Sequence, residues 1–187
     1  MALVVGLVGK IASGKGVVSD YLCRRYDAKV YRFSDVLSDI LLKLNKPNTR
    51  ENLQALGFSL RQIFGDTVLS EVLKQEIARD KSSLVVVDGI RYWNEFNMVK
   101  SFGNSLVVSI TAPLEVRYER TISRATRGES KISFEEFKAN EDKPTEKLID
   151  EIAMHADIKI ENIGSKEALL ETLDTIFKDK IKKKEGR

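Results

Sequence analysis

Apolar residues fall into two rhythms along the chain. Three short, Val-rich runs are continuous: Ala2 to Val8, Leu84 to Val87 and Leu106 to Ile110. They are too short for helices and end in turn or loop residues, the pattern of strands buried on both faces of a parallel sheet. Two further segments, Lys29 to Phe33 and Asp157 to Glu161, alternate apolar with polar positions. Alternation leaves one face less buried and predicts strands at the sheet edges. Between the strands the apolar spacing changes to three and four. Val18 and Leu22, Leu37 and Leu41, Leu53 and Leu56, Leu69 and Leu73, Phe96 and Val99, Leu114 and Tyr118, and Leu169 and Leu173 mark the inner faces of successive helices.

Strands alternating with helices predict an α/β domain, a five-stranded parallel sheet with right-handed crossovers. The helical stretch from Asp35 to Asp80 exceeds a simple crossover and predicts an inserted helical substructure. Gly128 and the polar residues after it break the helix that follows the fourth strand, so a second, mobile-looking excursion is expected from Arg124 to about Lys147. The domain is expected over residues 1–177. Lys178 to Arg187 is nearly all charged and reads as a solvated tail.

A length of 187 residues suits one such domain with its own core. With 42% hydrophobic and 32% charged residues, the chain is an ordinary globular sequence and not a disordered one. The net charge of +3 is too mild to indicate nucleic acid. The single Cys, Cys23, excludes an internal disulfide, and the single His, His155, excludes multi-His metal chemistry. A reducing, cytoplasmic address fits. No apolar run reaches the ~18–20 residues of a membrane span, and the apolar start lacks the basic segment of a signal peptide. Monomer and homodimer both stay open.

The strongest chemical signal is Gly9-Lys-Ile-Ala-Ser-Gly14-Lys15-Gly16. Two glycines lie five apart, Lys follows the second, an apolar strand precedes and an amphipathic helix follows. This is the spacing and context of a phosphate-binding P-loop. The glycines let the backbone amides from Gly9 through Ile11, Ala12, Ser13 and Gly16 curl toward phosphate oxygens. The helix opening at Val17 presents its positive end to the same anion. Lys15 supplies a full charge near the β- and γ-phosphates of ATP. Gly16 stands where a Ser or Thr usually binds magnesium.

Asp88 closes the third strand in Val87-Asp88-Gly89-Ile90-Arg91. A carboxylate at the carboxyl end of a strand beside the P-loop strand is placed to hold Mg2+ or its water. Arg91 follows as a phosphate clamp. After the fourth strand, spacings of three and four put Arg117, Arg120, Arg124 and Arg127 on one stripe, whose mutual repulsion a bound polyphosphate would relieve. Arg124 and Arg127 flank the second excursion and are the pair expected to reach the transferring phosphate. In the first insertion Arg50, Gln54 and Arg61 share one broad helical face. Solvated helix faces are the alternative for these polar residues.

Taken together these motifs resemble the P-loop nucleoside and deoxynucleoside monophosphate kinases. Gly-Lys-Gly resembles adenylate kinases, in which the metal is held largely through water. Asp88-Gly-Ile-Arg91 is similar to their Asp-Gly-x-Pro-Arg without the Pro. Phe33-Ser34-Asp35 followed by Arg50-Glu-Asn-Leu-Gln54-Ala-Leu-Gly57 resembles a stretch of phage and bacterial deoxynucleotide kinases. Adenylate-kinase-related and dephospho-CoA kinases share the P-loop, the third-strand Asp and the lid helix. The resemblance covers residues 2 to 177. It implies a P-loop kinase fold, ATP and magnesium as cofactors, and a lid carrying phosphate-contacting arginines. It further implies that Asp35, Arg50, Gln54, Arg61 and Arg91 contact a small nucleotide acceptor, with no membrane and no nucleic acid as partners. It places adenine against Asn162, Gly164 and Ser165 after the fifth strand, with Arg120 on the same side.

The expected reaction is transfer of the ATP γ-phosphoryl group to a nucleoside or deoxynucleoside monophosphate. Lys15, Asp88, Arg91, Arg124 and Arg127 are the candidate catalytic groups and Asp88 the candidate metal ligand. Two alternatives remain. A dephospho-CoA kinase would phosphorylate a ribose hydroxyl and give Asp35 the role of general base. A P-loop ATPase or nucleotide switch would act on a partner.

Overall fold

The computed structural model describes residues 2–125, 132–142 and 144–182. Five parallel strands, β1 (Leu3–Val8), β2 (Lys29–Arg32), β3 (Leu84–Ile90), β4 (Ser105–Thr111) and β5 (Ile158–Glu161), form one sheet in the order β2-β3-β1-β4-β5. The alternating segments are the edges, as their pattern predicts. The continuous apolar runs fill the centre, where both faces are covered: every residue of β1 is buried.

Successive side chains of β1 point to opposite faces and feed two cores. Val4 and Val8 face a cluster that includes Leu37, Leu73, Phe96 and Val99, from α2 (Phe33–Lys43), α4 (Val68–Arg79) and α5 (Trp93–Lys100). Leu3, Val5 and Leu7 face Val18 and Leu22 of α1 (Lys15–Tyr26) and Leu169, Leu173 and Phe177 of α9 (Lys166–Lys182). The first insertion is α2, α3 (Arg50–Phe64) and α4. The chain beyond β4 forms α6 (Leu114–Ala125), α7 (Phe134–Ala139), a short 3-10 turn over Asn140–Asp142 and α8 (Pro144–Met154).

Two boundaries differ from expectation, at the end of β2 and the end of α9. Phe33 is buried and opens α2 instead of ending β2. β3 ends at Ile90, inside the stretch expected to close it, and a bulge absorbs Gly89: Leu7 pairs with Asp88 and Val8 with Ile90, and Gly89 takes φ 95. α8 begins within the segment expected as the second excursion and packs on the core through Ile149 and Ile152, just beyond it. α9 continues to Lys182, past the expected start of the tail.

Candidate functional site

β1 delivers the chain into the P-loop at the middle of the sheet's carboxyl edge. Gly9 (φ 155) and Gly14 (φ 114) hold backbone conformations that side chains rarely adopt, and Ala12 turns with φ 59. A Cβ at Gly9 would run into the Ile110 carbonyl oxygen, and one at Gly14 into the Asn162 amide. Gly14 is the N-cap of α1, with no capping side chain and no acidic residue in the first turn. The helix therefore keeps its positive end for an anion.

Lys15 lies across the loop, its Nζ donating to the Gly9 carbonyl at 2.6 Å and the Lys10 carbonyl at 3.0 Å. Burial depresses its ammonium to about 8, against the raising influence of Asp88 and Glu146 and with the lowering influence of Arg91. One cationic group thus stands in the focus of the loop with two carboxylates and an arginine around it.

Asp88 is mostly buried and accepts from Arg32 Nε at 3.3 Å. Arg32 also faces Asp35 at 3.9 Å. On the far side of the loop, Asn162 seals the β5 turn against it. Its Nδ2 donates to the Ser13 carbonyl at 2.8 Å, and its N–H donates to Thr111 at 2.7 Å. Arg120 Nη2 donates to the Asn162 carbonyl at 3.0 Å and reaches the Gly164 carbonyl at 3.4 Å. Between α1, α6 and this turn lies an open groove of about 490 Å³ lined by Gly14, Val17, Arg120, Asn162, Gly164 and Leu169. Ser165 takes a structural part as well, its hydroxyl accepting the Ala168 N–H at the start of α9.

The family profile described as "AAA domain" matches residues 8–138, from the end of β1 into α7. A UPF0200 protein from Hyperthermus butylicus is 32% identical over 136 residues, covering 73% of this chain and 72% of that protein. The UPF0200 protein SSO1041 from Saccharolobus solfataricus is 33% identical over 130 residues, 68% of each. The chain belongs to the UPF0200 family, with an AAA domain. Two solved structures share the fold of this UPF0200 protein. One is TT1252 from Thermus thermophilus, at 22% identity and TM-score 0.64 over 95% of this chain and 97% of that one. The other is a shikimate kinase from Acinetobacter baumannii in complex with shikimate, at 18% identity and TM-score 0.57 over 96% of each. The sheet of the UPF0200 chain is thus a P-loop kinase fold.

The acceptor-side candidates of the UPF0200 protein separate into two groups. Arg50 and Gln54 are exposed on α3. Arg61 is held. Its guanidinium lies 4.8 Å from the Tyr92 ring centre, Nη1 donates to the Gly57 carbonyl at 3.1 Å, and Nη2 stands 3.5 Å from Glu95. Trp93 is half-buried and packs edge-on against Phe96 and His155 at the margin of the core.

One expectation is corrected. Arg117 does not share an open stripe with Arg120: it is 4% exposed. Its Nη1 and Nη2 grip Glu141 at 3.0 and 2.8 Å, and Nε donates to the Ala112 carbonyl at 3.0 Å. Glu141 arrives from within the segment expected as the second excursion, 24 residues away, and pairs the buried guanidinium. Arg127 and the side chain of Arg124 lie outside the described residues.

Three carboxylates were not singled out from sequence. Glu141 pins Arg117 and, at 2.7 Å, Lys10 of the P-loop. Glu95 is buried behind Arg91. Glu146, in the first turn of α8, faces Arg91 Nη1 at 3.8 Å, while its other oxygen is buried without a hydrogen-bond partner among the described residues. Pro144 at the start of a helix with an acid two residues on is a readable N-terminal signal. That this helix end brings the Glu146 charge within electrostatic reach of Lys15 is a tertiary fact. The orphaned Glu146 oxygen and Asp88 bear on the metal. Among the described residues no three His, Cys, Asp or Glu converge on one point. Magnesium needs no such cage, because it takes one or two carboxylates together with phosphate oxygens and waters. The donor set fits a metal brought in by a nucleotide.

Proposed function

We propose that this UPF0200 protein is an ATP-dependent kinase that passes the γ-phosphoryl group to a nucleoside or deoxynucleoside monophosphate. The observation that carries the reading is Lys15. It sits at the mouth of an uncapped helix, on carbonyls that a triphosphate would displace, with Asp88, Arg91 and Glu146 in its electrostatic surroundings. The groove supports a nucleoside at one side of the loop, and Arg50, Gln54 and Arg61 support an anionic acceptor at the other.

Lys15 and the loop amides would hold the β- and γ-phosphates, and Arg120 would fix the edge of the adenine groove. Asp88 and Glu146 would hold Mg2+ or its waters, and the metal would supply charge neutralisation on the triphosphate. Arg91 would neutralise the passing phosphoryl group, with Arg124 and Arg127 closing over it. An oxygen of the acceptor phosphate attacks the γ-phosphorus, the bond to the bridging oxygen breaks, and the electron pair leaves on ADP. An acceptor phosphate is mostly ionised at neutral pH, so the step needs no strong base. Asp35 is then a contact.

One observation favours a second reading, in which the acceptor is a hydroxyl as in dephospho-CoA kinases. Asp35 is 57% exposed and 3.9 Å from Arg32 of the Arg32–Asp88 pair, and in that reading its carboxylate would take the proton of an alcohol. Transfer of labelled γ-phosphate to a panel of monophosphates, dephospho-CoA and shikimate separates the two. The account expects turnover on a monophosphate, reduced at least ~100-fold by Lys15→Ala. Turnover of a hydroxyl acceptor alone selects the second reading. Hydrolysis indifferent to every acceptor contradicts both.

A further inference from the structure

Glu95 has no part in the steps above, yet it is 2% exposed in the first turn of α5. A buried carboxylate persists only where its oxygens are matched. Oε2 accepts the N–H of Arg91 at 2.7 Å and that of Tyr92 at 3.3 Å. Oε1 faces Arg61 Nη2 at 3.5 Å. Tyr92 in turn lies under the Arg61 guanidinium. One side chain therefore joins the turn after β3, which bears the phosphoryl-side arginine, to the helix that bears the acceptor-side arginine. Burial raises its carboxyl to about 7, against the lowering pull of the two backbone N–H groups, Arg61 and Arg91.

We propose that Glu95 is the positioning residue of the acceptor site, its carboxylate locking Arg61 of α3 to the Arg91 turn so that both guanidiniums present to the acceptor as one body. This rests on the kinase reading of the cleft. The ligand it prepares for is a small anion such as a monophosphate. An arginine already fixed loses little freedom on binding, so the lock acts on acceptor affinity and leaves the ATP side alone. When Glu95 takes a proton, the ion pair is lost and Arg61 is released from the turn.

Glu95→Gln keeps the shape and removes the charge; Glu95→Asp keeps the charge one methylene short. With the monophosphate that serves as acceptor, Glu95→Gln is expected to raise the acceptor KM about tenfold, with kcat and the ATP KM within about twofold. It also removes the wild-type limb of the acceptor KM whose midpoint is about 7, leaving the limb set by the acceptor phosphate's own ionisation near pH ~6, and Glu95→Asp restores the first limb. A second readout needs no turnover. The Arg61 Nε–H and the Arg91 and Tyr92 amide resonances should titrate together in the wild type and not in Glu95→Gln. An acceptor KM unchanged in Glu95→Gln, an equal rise in the ATP KM, or independent titration of these resonances overturns the proposal. If the wild type uses no monophosphate, the kinase reading fails, and the resonance titration still decides whether Glu95 couples the two arginines.

Discussion

Lys15 donates to the loop's own carbonyls, and burial holds its ammonium near 8. A lowered lysine favours the uncharged form; a triphosphate favours the charged one. Binding ATP at about pH 8 should therefore draw in about half a proton per site. Calorimetry in buffers of different ionisation enthalpy measures this, with Lys15→Met giving the part due to ATP itself. Equal proton uptake by both proteins would mean that Lys15 does not meet the phosphates. The spacing Gly9, Gly14, Lys15 was legible because a P-loop is local, its partners lying within a few residues. Glu95 and Arg61 were not legible as a pair because they are 34 residues apart, and a lone acid in a helix's first turn reads as an ordinary cap.

At the scale of elements, α8 and the turn before it are tied to the P-loop by charge. Lys10 lies 2.7 Å from both Glu141 and Asp150, and Arg117 grips Glu141 from α6. Burial pushes the Glu141 carboxyl up, and the hydrogen bonds from Arg117 and Lys10 overcome it and hold it below its usual range. A depressed acid contributes stability that is present above its unfolded pKa and lost as pH falls through the folded value. Glu141→Gln should thus cost about 2–4 kcal/mol at neutral pH, because it leaves Arg117 buried and unpaired, and the gap should narrow below pH ~4. Urea unfolding across pH checks this; a cost independent of pH would show that the network is not the cause. The sequence placed the strands well, since continuous Val-rich runs have few other readings. It announced no helix at α8, whose inward Ile149 and Ile152 sit among acids and follow a polar stretch. Nothing local announces that Gly89 near the end of β3 is absorbed as a bulge.

For the whole molecule, the order β2-β3-β1-β4-β5 puts the P-loop at the centre. Crossing out from it, β3 and β2 lead to Asp88, Arg91 and the α2–α4 insertion; β4 and β5 lead to Arg120, Asn162 and the groove. Alternation alone identified the edge strands, whereas the neighbours of each functional side chain came from topology. Division into an acceptor side and a nucleotide side about one lysine is the central claim. The most direct measurement is a crystal structure with a non-hydrolysable ATP analogue and magnesium. The account predicts β- and γ-phosphates against the Gly9–Gly16 amides, Lys15 moved from the Gly9 carbonyl onto phosphate, and the nucleoside in the groove beside Asn162. A nucleotide bound elsewhere, or Lys15 still on Gly9 with the triphosphate present, would contradict it.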